Sequence, residues 1–83
     1  MAKLKRSTLG LIAEMVLYLK AAPRGFEVFG MDNAGRRVVL NRRKKFEDCV
    51  ADAASSAQAL ANFRKKTVQL DIQSERVEEF NPE

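Results

Sequence analysis

Between residues 4 and 22 apolar side chains crowd the chain with few interruptions: Leu4, Leu9, Leu11, Ile12, Met15, Val16, Leu17 and Leu19. Residues 7–21 read as a helix, with Ser7 or Thr8 as N-cap and Pro23-Arg24-Gly25 as its stop. Wound at about 100° per residue, the large apolar side chains cover an arc of more than about 200°, and Glu14 lies in a narrow polar strip. A helix apolar on most sides must be covered on most sides. The pattern therefore predicts association through Leu9, Leu11, Met15, Leu17 and Tyr18, with a second copy as a homodimer or with a partner protein.

Residues 26–31 and 36–41 form the next pattern. Phe26 and Val28 share one face, Val38 and Leu40 another, and Asp32-Asn33-Ala34-Gly35 supplies turn chemistry between them. This predicts a β-hairpin. Residues 42–66 follow the helical spacing i, i+3, i+4, i+7 through Phe46, Cys49, Val50, Ala53, Ala57, Leu60 and Ala61. Glu47, Asp48, Asp52, Ser55, Gln58 and Asn62 take the opposite, polar face. Residues 67–73 then alternate, with Val68, Leu70 and Ile72 apolar between Gln69, Asp71 and Gln73. That is a half-buried strand, free in principle to add to a partner's sheet.

The expected order is α-β-β-α-β: an α+β fold with a small antiparallel sheet and two helices, the second long and amphipathic. Residues 1–73 form a single domain, and residues 74–83 an acidic C-terminal tail with at most one helical turn capped by Ser74. Eighty-three residues leave a thin stability margin for one core.

Charge sharpens the picture. Residues 1–66 hold 14 Lys and Arg against 6 Asp and Glu, a net of +8, whereas residues 67–83 carry a net of −4. The body is basic and the tail acidic. Lys3, Lys5 and Arg6 before an apolar run imitate the start of a secretion signal, but Glu14 interrupts the run and Ala21-Ala22-Pro23 is a poor cleavage site. A single Cys allows no internal disulfide, so a cytoplasmic setting is expected, with no membrane partner.

Catalytic chemistry finds little to use. The chain has no His, the usual general base at neutral pH. Cys49 falls on the apolar face of the long helix, where a thiol serves packing rather than attack. Asp48 and Asp52 stand at i, i+4, but two carboxylates without further oxygen ligands make a poor cation site. The expectation is a non-enzymatic module with no metal, no cofactor and no small-molecule substrate.

The cations suggest more. Arg42, Arg43, Lys44 and Lys45 fall in the expected first turn of the long helix, where the macrodipole disfavours positive charge, and Arg36 and Arg37 lie in the hairpin leading to it. A cluster held against local preference marks a candidate site for phosphate or carboxylate oxygens. The leading expectation is nucleic acid or another polyanion bound by Arg36, Arg37, Arg42, Arg43, Lys44 and Lys45. Aromatic support for single-stranded binding is thin, because Phe29 falls on the opposite face from Phe26 and Val28 and Tyr18 falls in the first helix. The alternative is a protein-binding adaptor or inhibitor. No helix-turn-helix, RNP aromatic signature, zinc spacing or GxxG loop can be quoted. In size and basic charge the chain looks like small accessory proteins of phages and mobile elements, including inhibitors that block a host nucleoprotein complex.

Overall fold

The computed structural model describes residues 4–83. Lys3, one of the N-terminal cations, lies outside them. The elements run α1 (Arg6–Ile12), β1 (Val16–Ala22), β2 (Gly25–Met31), β3 (Arg37–Arg43), α2 (Phe46–Arg64), β4 (Val68–Ile72) and β5 (Arg76–Phe80). The fold is α+β with two helices, the second long, packed on a mixed five-stranded sheet of order β3-β2-β1-β4-β5. All adjacent strands pair antiparallel except β1 and β4, which run parallel; the chain passes from one to the other through β2, β3 and α2.

The first apolar segment is half helix and half strand. The helix stops at Ile12, whose carbonyl accepts the Met15 amide at 2.9 Å, and the chain re-enters as β1. In β1, Leu17 and Leu19 point into the core while Val16, Tyr18 and Lys20 point away. That is a two-residue period, but Val16 and Tyr18 on the outer face hide it from a polar/apolar reading. The strand lies in the middle of the sheet, which explains its apolar character on both sides.

The core lies between one sheet face and α2. Leu17, Leu19, Val28, Leu70 and Ile72 from the sheet meet Cys49, Ala53, Ala57, Leu60 and Ala61 from the helix, with Ile12 and Met15 closing one end. The Ala-rich helix face lets the backbone sit close to the sheet. Asp52 departs from its expected polar face, being buried at 3% exposure.

The predicted hairpin is present. The Asp32 carboxylate accepts the Ala34 and Arg36 amides at 2.9 Å each, and Gly35 takes a positive φ of 84°. A bulge leaves Leu40 unpaired, so Val28 faces Asn41 and Phe29 faces Val39. Residues 74–83, expected as a loose tail, instead complete the sheet. β5 pairs with β4 through a tight turn whose central residues, Gln73 and Ser74, both take left-handed conformations at φ 54° and 61°. Phe80 packs against the core, and the Gln58 side chain donates to the Asn81 carbonyl at 2.7 Å. Among the described residues no helix is long and apolar enough to cross a membrane.

Candidate polyanion-binding site

Helix α2 begins at Phe46, later than expected, with Glu47 and Asp48 in its first turn. Arg42 and Arg43 therefore end strand β3, and Lys44 and Lys45 occupy the link to the helix. The supposed macrodipole penalty does not exist. Acidic residues take the favourable positions instead.

Strand geometry divides the six predicted cations. The Arg43 guanidinium points toward α2, and its Nε donates to Asp52 Oδ2 at 2.6 Å. The Asn41 amide donates to the same oxygen. These bonds hold the Asp52 carboxyl below its usual range; the Arg43 bond contributes most, burial opposes it and Asn41 assists. Arg43 is thus a structural clamp between β3 and α2 rather than a free anion ligand.

Arg37 and Arg42 point to the other, helix-free face of the sheet. Both reach Glu27, Arg42 through Nε at 3.3 Å and Arg37 by a shorter contact. Arg36 pairs with Asp32 at 2.8 Å in the turn, where its hydrogen bonds hold the Asp32 carboxyl low. Exposed pairs of this kind contribute about 0–1 kcal/mol, so their guanidiniums can exchange onto another anion. Lys44 and Lys45 are exposed.

A concave surface of about 510 Å³ opens where β1 ends, β2 starts and β3 ends. Ala22, Pro23, Gly25 and Phe26 supply its apolar lining, and Arg24, Arg42, Arg43 and Lys44 its cations; Glu27 is its one carboxylate. Arg24 is the residue that sequence reasoning missed. It sits about twenty positions from the Arg42 cluster, and only strand pairing (Phe26 with Arg43, Glu27 with Arg42) unites them. The closeness depends on Gly25, at φ 144°. A Cβ there would collide with the Arg43 carbonyl oxygen and lie 2.8 Å from Lys44 Cα.

Tyr18, assigned to a helix by pattern, stands instead on β1 beside Phe29 of β2. Their rings stack at 5.5 Å with an interplanar angle of 18°. Arg37 lies over the Phe29 ring at 3.9 Å, leaving that ring 2% exposed. The pair braces the open face, but Arg37 occupies the surface a nucleobase would use.

The expected association surface is dispersed. Leu17 and Met15 are buried in the chain's own core, Leu9 packs against it, and only Leu11 remains well exposed. The wide apolar arc is satisfied internally, and the original reason for a homodimer goes with it. Strand β4 is interior, between β1 and β5, so its alternating residues cannot add to another sheet. Cys49 is fully buried, and burial pushes its thiol pKa up, away from nucleophilic use. Asp48 is exposed, whereas Asp52 is buried and clamped by Arg43. No protein-family model, curated protein or solved structure matches this chain.

Proposed function

We propose that this chain is a non-enzymatic module that binds nucleic acid through the basic end of its sheet. One observation carries the reading: Arg24 converges with Arg42 and Lys44 on a single concave surface containing one carboxylate. Arg36, Arg37 and Lys45 extend the positive surface along the β3 edge. Such cations neutralise backbone phosphates, giving affinity with little sequence preference. The apolar lining around Pro23 and Phe26 suits the sugar edge of a strand. The absence of His from the sequence and the buried, raised thiol of Cys49 support a binding role over a catalytic one.

A protein target is the second reading, and Glu27 favours it, because it shows Arg37 and Arg42 already taking a carboxylate. An inhibitor of a nucleoprotein complex would place this same basic end on an acidic protein surface. Fluorescence anisotropy with labelled duplex and single-stranded oligonucleotides tests the first reading. Arg24→Glu should weaken binding by about tenfold, equivalent to about 1.4 kcal/mol. Arg64→Glu, at the far end of α2, should leave it nearly unchanged. Equal losses for both, or no binding even in low salt, would refute nucleic-acid binding at this site. A pull-down that survives nuclease treatment would then favour the protein target.

A further inference from the structure

Among the described residues, the two outer strands of the sheet, β3 and β5, have no further strand beside them. Following the pairings across it, β3 runs the same way as β1 and β4, and β5 runs opposite to them. A second molecule set alongside in the same orientation therefore brings its β3 antiparallel to the first molecule's β5. Both molecules then keep their helices on one side.

The two edges carry opposite charge. β3 and its flanks hold Arg36, Arg37, Arg42, Arg43 and Lys44, whereas β5 and its flanks hold Glu75, Glu78 and Glu79 around Arg76. Like edges repel and unlike edges attract.

Their side chains also match. Strand pairing aligns Val39, Phe29, Tyr18, Asp71 and Val77 in one row across the helix-free face. The row ends at an exposed valine on each edge, Val39 at 41% and Val77 at 55%. Edge strands usually carry charge or proline at such positions, which prevents pairing with another chain. Placing Val77 opposite Val39 of the next molecule sets Glu79 opposite Arg37, two residues along and on the same face. This half of β3 is regular. The bulge at Leu40 limits pairing on the other side.

We infer that the β5 edge of one copy receives the β3 edge of a second copy, head to tail, through Val77–Val39 and Glu79–Arg37. Each added copy leaves one basic and one acidic edge unfilled, so growth has no natural stop at a dimer. The basic ends would then recur along one row. The inference does not rest on nucleic-acid binding, because the contact forms between protein edges alone.

Sedimentation of the full chain, without nucleic acid, from micromolar to near-millimolar concentration tests this. At about 0.1 M salt the average mass should rise past two 9.3 kDa units as concentration increases, and it should fall at about 1 M salt, where the screening length shrinks to about 3 Å. Val77→Arg, at an exposed position, should remain monomeric with an unchanged thermal melt. Val39→Glu should block assembly from the other edge. Arg37→Glu and Glu79→Arg should each weaken association about fivefold to tenfold, and the double variant should restore most of it. A constant monomer mass under all conditions overturns the inference. So does a dimer indifferent to Val77→Arg, or a double variant no better than its parents.

Discussion

Replacing Asp52 by alanine isolates the contact that turns one cation of the basic cluster into a structural part. The carboxylate is 3% exposed and accepts bonds from Arg43 Nε and Asn41 Nδ2, joining the end of β3 to the second turn of α2. Hydrogen bonds to a charged group contribute about 1.5–3 kcal/mol each when intact. The Arg43 side chain is partly exposed and can rehydrate, which offsets part of the loss. A net cost of about 2–3 kcal/mol follows, or a fall in Tm of about 10–20 °C for a chain of this size. Thermal and urea unfolding followed by circular dichroism would read it.

The same contact has a pH signature. Because the folded-state pKa of Asp52 lies below its ordinary 3.8, its stabilising contribution is complete above that value. It is lost as pH falls through the folded value, so wild type and Asp52→Ala should converge in strong acid. Arg43→Ala should behave similarly, and the double variant should cost less than the two single costs added. Equal melting temperatures at neutral pH, or a gap that persists into strong acid, would refute the clamp.

Two further perturbations address the backbone. Gly25→Ala forces a Cβ onto the Arg43 carbonyl at a φ that L side chains rarely adopt, and should destabilise by about 2–4 kcal/mol. Unfolding titrations would measure it, and a neutral result would contradict the close strand crossing. Changing Gln73-Ser74 to Asn-Gly suits the turn's two positive φ angles, despite loss of the exposed Lys20–Ser74 hydrogen bond at 2.9 Å. It should raise stability by about 1 kcal/mol, or Tm by about 4–8 °C, and a lower Tm would contradict the turn geometry.

The hairpin, α2 and β4 were legible because each has a clean period and recognisable punctuation. Asp32 and Gly35 do in the structure what their residue types predict. The first apolar segment was not legible as strand, because a central strand apolar on both faces resembles a helix apolar all round. Met15, Leu17 and Tyr18 thereby looked like one unpartnered surface, whereas Met15 and Leu17 are buried in the core and Tyr18 stacks on Phe29 on the opposite sheet face. Strand β5 escaped notice because Gln73 and Ser74 are unusual residues for their turn, and because Glu78 and Glu79 masked Val77 and Phe80. The basic residues are visible as a cluster along the chain, but how they are sorted depends on tertiary contacts. Arg43 is committed to Asp52, Arg37 covers Phe29, and Arg24 arrives from another turn. None of these is encoded by sequence spacing.

The salt dependence of nucleic-acid affinity bears most directly on the central reading. Each cation that neutralises a phosphate adds about 0.9 to the slope of log affinity against log salt for duplex DNA, or about 0.7 for a single strand. Substituting Arg24, Arg42 and Lys44 together by alanine should reduce that slope by about 2 to 3, whereas substituting Lys65 and Lys66 should leave it unchanged. A slope indifferent to the triple substitution, or equally sensitive to the pair at the far end of α2, would contradict a polyanion site at the basic end of the sheet.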